Sequence, residues 1–220
     1  MTLLRYRRLA DVPPPERELL EVDADGAFTM WRSNGPTIGR FGGRVPDIDD
    51  LRARVAAAAA APAPDGGDIP ADASVETIEL DDAAVSVEAG EPVDGPWGEL
   101  FSACRGLLDA LRDRPVAAVT LEVVDGGRAR LSHAGDATLP LELDDARVAV
   151  TAWADGAEAG AGRSDGLGLG RVDAAPGWSA ELTLPAVEAP KGAQVVVTVD
   201  AVADDEGVMI PVLWTARFEA

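Results

Sequence analysis

The sequence contains few of the side chains on which most enzymes and metal sites depend. Among its 220 residues there is one histidine (His133), one cysteine (Cys104) and one tyrosine. It has no His-Glu-x-x-His, Cys-x-x-Cys or phosphate-loop motif, and no dinucleotide fingerprint after a predicted strand. One cysteine excludes a disulfide within the chain, and one histidine leaves a metal site to be built mainly from carboxylates, which is uncommon for zinc. We therefore expect no catalytic residues, no metal and no cofactor.

Long apolar runs are also missing. No stretch approaches the roughly 18 apolar residues that a membrane-spanning helix needs. At the N-terminus, Met1–Leu4 gives way to the basic stretch Arg5–Arg8, without the apolar region of a signal peptide. These features predict a cytoplasmic protein that does not bind membranes.

Lysine is nearly absent, and acidic residues are in large excess. The chain has one lysine, Lys191, and eighteen arginines against 39 aspartates and glutamates, so its formal net charge is −20. Residues 1–60 contain nine arginines and nine acidic residues, so the remaining 160 residues carry the whole excess, with ten basic against thirty acidic side chains. Such a field repels phosphate groups, so we expect no general binding of nucleic acid.

Aromatic residues make up only 5% of the chain, which predicts a mainly aliphatic core. One segment has the three- and four-residue spacing of apolar side chains that is typical of an amphipathic helix. Pro96 suits the first turn of this helix and Pro115 ends it, so we predict a helix over 96–114. Its apolar residues are Trp97, Leu100, Phe101, Cys104, Leu107, Leu108 and Leu111.

Two segments have the pattern of a β-hairpin. The first spans residues 18–32 and turns at Ala24–Gly26, and the second spans residues 116–133 and turns at Asp125–Gly127. Only one register in each hairpin brings the apolar side chains to a common face. The predicted pairs are Val22 with Phe28, Leu20 with Met30, Glu18 with Arg32, Val123 with Ala129, Leu121 with Leu131, Glu122 with Arg130, Thr120 with Ser132 and Val119 with His133.

The rest of the chain is predicted to be mostly strands. These lie at residues 75–80, 84–88, 147–153, 178–184, 193–202 and 208–218, with a short helix at 51–61 and a loop at 154–176. The apolar run Gln194–Val199 predicts a central strand, and Pro211 predicts an edge position or a bulge for the last strand. The predicted fold class is a strand-rich α+β fold, with antiparallel sheets built from hairpins and packed by one long amphipathic helix. The alternative is a β-sandwich with a small N-terminal α+β domain.

The composition changes at residues 62–73, which are rich in proline, glycine and alanine. We therefore predict an N-terminal subdomain at 1–61, made of a β-hairpin and a short helix, and an acidic, β-rich domain at 74–220 that contains helix 96–114. Residues 62–73 form a linker, or a long loop if the chain is a single domain.

One motif resembles a catalytic one. Residues Gly162–Gly166 fit the Gly-x-Ser-x-Gly pattern of a nucleophile elbow, which needs an apolar strand before the serine and a helix after it. Here glycine- and alanine-rich sequence lies on both sides of Ser164, and the only histidine, His133, precedes the serine instead of following it. We therefore interpret the motif as part of a flexible loop and His133 as a core or rim residue.

The segment from Trp31 to Arg44 has the residues most suited to binding. Its arginines can bind carboxylates or phosphates, its glycines expose backbone N–H groups, and tryptophan and arginine are enriched at interface hot spots. The predicted interaction site consists of Trp31, Arg32, Arg40, Phe41 and Arg44. Two alternatives stay open: the arginines pair with acidic residues within the fold, or they hold a small anionic ligand.

The leading hypothesis is a non-enzymatic, cytoplasmic protein–protein interaction module, such as an adaptor, an assembly component, or an inhibitor or immunity-type partner. It would bind another protein or a second copy of itself. The second hypothesis is a carboxylate-based enzyme or small-ligand-binding domain in which Ser164 or His133 assists. The third is a self-assembling structural subunit that uses the Pro211-containing strand as an edge.

Overall fold

The computed structural model describes residues 1–10, 16–64, 69–70, 73–111, 115–205 and 208–220, apart from the side chains of residues 205 and 208. The chain forms two compact units. The first unit consists of Met1–Arg32 and Arg40–Pro115, and the second consists of Ser33–Gly39 and Val116–Ala220. Within the described ranges antiparallel strands predominate and two helices are present, so the fold is mostly β and of the α+β class.

The first unit contains a sheet in the order β4-β3-β2-β1-β5-β6 and both helices. Strand β1 is antiparallel to both β2 and β5, and β5 is antiparallel to β6. The elements are β1 (Thr2–Ala10), β2 (Glu16–Asp23), β3 (Ala27–Asn34), β4 (Thr37–Arg44), α1 (Ile48–Ala60), β5 (Val75–Leu80), β6 (Ala83–Glu88) and α2 (Gly95–Leu111). The ends of β3 and β4 that lie within Ser33–Gly39 belong to the second unit.

Side-chain alternation gives this sheet one apolar face, which forms a common core with the helices. Tyr6 of β1 is fully buried, and its ring meets the edge of the Phe101 ring of α2 at a centroid distance of 6.5 Å. Cys104 is buried in the same core, as predicted. Burial raises the pKa of its thiol to about 12, which suits a packing residue rather than a nucleophile.

Helix α1 begins three residues before the predicted residue 51, and α2 begins one residue before its predicted start. Helix α1 starts at Ile48 because the Asp47 side chain accepts a hydrogen bond of 3.1 Å from Asp50 N, which caps the first turn. Helix α2 starts at Gly95, one residue before the predicted bound, and is described to Leu111. Residues 112–114, the last three of the predicted helix, lie outside the described residues.

The second unit consists of strands. Its sheets have the orders β12-β8-β7 and β10-β9-β13-β14, and β11 pairs with β9. The elements are β7 (Ala117–Asp125), β8 (Arg128–Gly135), β9 (Leu139–Ala154), β10 (Ala157–Asp165), β11 (Arg171–Ala174), β12 (Ser179–Thr183), β13 (Gln194–Asp205) and β14 (Val208–Glu219).

The predicted register of the second hairpin is confirmed pair by pair, from Val123 opposite Ala129 to Val119 opposite His133. The predicted central strand is also confirmed, because β13 pairs with β9 on one side and β14 on the other. Pro211 lies in β14, which ends this strand order, as predicted for a residue that cannot donate to a ladder.

Segment Ser33–Gly39 lies between β7 and β14 in the second unit. Leu121 N donates to Pro36 O and Thr215 N donates to Gly35 O, both at 2.7 Å. Trp214 of β14 also donates directly to Val119 O of β7, at 2.9 Å. These bonds join the two sheets of the unit along one side.

The predicted loop at 154–176 is wrong, because this segment forms β10 and β11. Strand β10 gives no apolar signal since its inward positions include glycines, which the chain near residues 185–188 approaches closely. A Cβ at Gly160 would lie 2.7 Å from Glu188 O, and one at Gly162 would lie 3.0 Å from Ala186 O. Ser164 is therefore a strand residue opposite Val148, and not the apex of a nucleophile elbow.

The predicted linker at 62–73 is flanked by α1 and β5, which both belong to the first unit. Its residues 65–68 and 71–72 lie outside the described ranges. The division into residues 1–61, 62–73 and 74–220 stays a prediction.

Candidate functional site

The five predicted interaction residues have different surroundings. The side chains of Trp31 and Phe41 are buried, so neither aromatic ring is offered to a partner. The Arg40 guanidinium lies 6.0 Å from the centre of the Trp31 ring, within range of a cation–π interaction. Arg44 is the most exposed of the arginines in this segment, and its Nη1 donates to Asp25 O at 2.9 Å. The structure therefore does not bring the five side chains together on one surface.

Arg32 belongs to an alternating row of charges on the helix-facing side of the first unit. The row runs from β3 through β2, β1 and β5 to α2, and its members are Arg32, Glu18, Arg8, Glu76 and Arg105. In the strand register Arg8 lies opposite Glu18 on one side and opposite Glu76 on the other. This arginine–glutamate row places each glutamate between two arginines.

The shortest nitrogen–oxygen distances in the row are at its two ends. Arg32 Nε lies 3.1 Å from Glu18 Oε1, and Arg105 Nη2 lies 2.6 Å from Glu76 Oε2. The central Arg8 is looser, 3.7 Å from Glu18 and 3.9 Å from Glu76. The glutamate side chains are 0% and 3% exposed, whereas the arginines extend partly to solvent. Pairing within the fold is thus what the structure shows for Arg32.

The outer edge of β6 is a second distinctive feature of this unit. The strand has the sequence Ala-Ala-Val-Ser-Val-Glu and pairs on one side with β5, without a register shift. Among the described residues no strand lies on its other side. The side chains of Val85 and Val87 are buried on the core face, and those of Ala84 and Ser86 are exposed on the opposite face.

The hydrogen-bond pattern shows which backbone groups face outward. Ala89 N donates to Ser74 O at 2.7 Å, and this pair continues the register that sets Val75 opposite Glu88. Hydrogen-bonded pairs alternate along an antiparallel ladder, so Val85 and Val87 direct their backbone groups toward β5. The N–H and C=O groups of Ala84 and Ser86 and the N–H group of Glu88 therefore point away from the sheet, whereas Glu88 O accepts a hydrogen bond of 3.1 Å from Glu91 N.

Other edge strands have features that hinder pairing with a further strand. Strand β10 has a register shift between Glu158 and Gly160 and carries charges of both signs. Strand β12 is only five residues long and has Glu181 at its centre. Strand β6 has no proline, no basic residue and no bulge, and its single charge is Glu88 at its end. It therefore lacks the usual protection of an edge strand.

His133 is buried on the core face of β8, opposite Val119, in line with its interpretation as a core residue. Within the described residues neither of its ring nitrogens has a hydrogen-bond partner. Ser164 is partly exposed on β10, the edge strand of the other sheet.

We predict that His133→Leu stabilises the protein by about 1 kcal/mol, because it removes a buried polar ring whose nitrogens are unsatisfied. Thermal unfolding of this variant and of Ser132→Ala, which alters the opposite face of β8, measures the effect. A loss of stability specific to His133→Leu would show that the imidazole makes a favourable polar contact.

The second unit contains an open cleft of about 440 Å³ near the turn between β7 and β8. Its lining is mainly apolar, with Val150 and Val195 at buried positions. Asp125 lies at this cleft, where Arg128 Nη2 donates to it at 2.7 Å. The Arg128 hydrogen bond lowers the pKa of Asp125, which marks this carboxylate as an ion-pair member rather than a base.

Within the described ranges, no group of three or more histidine, cysteine or acidic side chains is arranged to hold a metal ion. No helix in the same ranges is long and apolar enough to cross a membrane. No protein-family model matches the sequence, and neither a curated protein nor a solved structure matches it.

Proposed function

We propose that the protein is a non-enzymatic, cytoplasmic protein–protein interaction module that binds an extended strand of its partner along the outer edge of β6. The observation that carries the proposal is the outward-facing backbone of Ala84 and Ser86, together with the N–H group of Glu88, on an edge without protection. A strand added there gains main-chain hydrogen bonds, and its alternate side chains extend the two faces of the sheet.

Two features predicted from the sequence, the amphipathic helix and one exposed arginine, contribute to this proposal. The predicted amphipathic helix, α2, shares a hydrophobic core with Val85 and Val87 and so supports β6 from its core face. Within the predicted interaction residues Trp31, Arg32, Arg40, Phe41 and Arg44, exposure favours Arg44 as a secondary contact for an acidic group.

A small-ligand-binding domain is the second candidate function. The cleft in the second unit supports it, because its volume falls within the range of roughly 300–1,000 Å³ of small-molecule sites and its lining is mainly apolar. Its polar lining includes Asp125, which is already paired with Arg128, so the β6 edge has the stronger support.

The test of the proposed function compares Ser86→Pro with Ser86→Ala. Proline removes the outward N–H at the centre of the edge and leaves the ladder to β5 intact, whereas alanine keeps this donor. We expect Ser86→Pro to weaken partner binding about tenfold or more, the equivalent of one to two hydrogen bonds. Ser86→Ala should bind like the wild type.

Binding is measured with the full-length chain as bait, followed by amide hydrogen exchange on the recovered complex. The bound partner should slow the exchange of the Ala84, Ser86 and Glu88 amides. Equal unfolding midpoints of the two variants establish that the proline is tolerated. Equal binding by two such folded variants, or no protection at β6, would overturn the proposal.

A further inference from the structure

We infer that the strand that β6 accepts is β6 of a second copy of this chain, paired antiparallel about a two-fold axis at Ser86. This inference rests on the proposed function, because it names the partner of the same edge. It follows from the self-complementarity of β6 in its backbone groups, its apolar side chains and its charges.

Two-fold symmetry, the outward backbone groups and charge together select the register. A two-fold axis perpendicular to the sheet pairs residues whose side chains lie on the same face, so the axis passes through a residue paired with its own copy. With the axis at Ser86, whose N–H and C=O point outward, the two serines form a hydrogen-bonded pair. Ala84 then pairs with the partner's Glu88, and the reverse pair follows by symmetry. Because Glu88 O already accepts from Glu91 N, this register gives about four hydrogen bonds. An axis at Val85 gives about as many, but it sets Glu88 opposite the partner's Asp82, so that like charges oppose each other.

The side chains fit the same register. On the core face Val85 lies opposite the partner's Val87, twice, in the closely spaced positions that favour contact between β-branched residues. On the opposite face Ala84 lies opposite the partner's Glu88, so no like charges oppose each other. The pairing thus continues the apolar face of one copy into that of the next.

The overall charge opposes this contact. Each copy carries a net charge of −20, so two copies repel each other at low ionic strength. The β6 pairing itself uses backbone and apolar groups, which salt does not weaken. Association through β6 should therefore strengthen with added salt, whereas association through ion pairs would weaken.

Two substitutions with the same change in charge separate this register from others. Ala84→Lys places a lysine opposite the partner's Glu88 at two symmetric positions, and Ser86→Lys places two lysines opposite each other at the axis. Because both positions are exposed on β6, both variants should keep the fold. Relative to the wild type, we expect dimerisation about threefold or more tighter for Ala84→Lys and about threefold or more weaker for Ser86→Lys.

Sedimentation equilibrium of the full chain over a range of protein and salt concentrations measures these constants. A wild type that stays monomeric at millimolar concentration in high salt would overturn the second copy as partner. It would leave the proposed function standing if Ser86→Pro still abolishes capture of a different protein. Self-association that responds equally to Ala84→Lys and Ser86→Lys would overturn the register and with it this inference. Self-association that Ser86→Pro does not affect would overturn the proposed function as well.

Discussion

Replacing Gly98 with alanine should destabilise the first unit by roughly 3 kcal/mol, although alanine is the best helix former. Gly98 lies in the first turns of α2, and a Cβ built there would overlap the backbone carbonyl of Val93. To remove this overlap, either the chain before the helix or the helix itself must shift. Helix α2 is held in place by the buried side chains of Trp97 and Phe101. The overlapping atom belongs to the backbone of Val93 and not to a flexible side chain that could move aside. The overlap is therefore relieved only by disturbing the packing of the core, which lowers the free energy of unfolding.

Gly106 of the same helix is the matched control. A Cβ built there meets no atom within 4 Å, so Gly106→Ala should stabilise the protein by roughly 0.5–1 kcal/mol through helix propensity alone. Urea unfolding followed by circular dichroism and tryptophan fluorescence measures both variants. If Gly98→Ala gained stability as Gly106→Ala does, the close approach of Val93 to α2 would be refuted.

These two glycines show what local sequence reasoning can and cannot supply. Propensity treats Gly98 and Gly106 alike, because the difference between them is a contact that depends on how the preceding chain folds back. The same limit explains why β10 was predicted to be a loop. Glycines at positions 160 and 162 make room for a segment distant in sequence, and they replace the apolar side chains whose alternation would identify a strand. The pairing of β7 with β8 from Val119 to Val123, by contrast, was predictable, because the alternating side chains are local and agree on one register. The register shift between Val123 and Asp125, which brings Asp125 opposite Arg128, was not predicted.

The charge row and the β6 edge depend on the order of the strands. The sequence predicts that Glu18 faces Arg32, and the ion pair between them agrees with this. It does not place Arg8, Glu76 or Arg105 beside them, because that requires β1 to lie between β2 and β5 and α2 to pack on the same face. The outward-facing backbone of β6 likewise follows only once the strand is known to end the sheet. Trp31 and Phe41 show a different limit of sequence reasoning. They were predicted to contact a partner, but their side chains are buried, because aromatic residues suit a hydrophobic core as well as an interface.

Glu76→Gln should destabilise the first unit by about 3 kcal/mol. The Glu76 side chain is 3% exposed and lies between two arginines. Arg105 Nε donates to Glu76 Oε2 at 2.8 Å, and Arg105 Nη2 lies 2.6 Å from the same oxygen. Removing one member of a buried ion pair costs roughly 3–5 kcal/mol, because the remaining charge stays poorly solvated. The arginine side chains here are about one-third exposed, so water partly compensates them and the lower end of the range applies.

Glu79 provides the control on the same strand. It lies on the opposite face of β5, is 30% exposed, and contacts Arg7 at 2.9 Å and Arg5 at 3.4 Å. Its ion pairs are solvated, so Glu79→Gln should cost less than about 1 kcal/mol and should lose even this effect in high salt. Urea unfolding at two salt concentrations compares the two variants. A similar small loss for both would show that the row is solvated.

A third variant separates the lost ion pair from a general disturbance of the core. When Arg105→Met is added to Glu76→Gln, the charge that Glu76 left unpaired on α2 is removed, and a long apolar side chain takes its place beside Phe101. We expect the double variant to recover about 1 kcal/mol or more relative to Glu76→Gln, so the two substitutions should be non-additive. Strict additivity would mean that Arg105 and Glu76 stabilise the protein independently, and Arg8 alone would then have to balance the buried carboxylate from its longer distance of 3.9 Å.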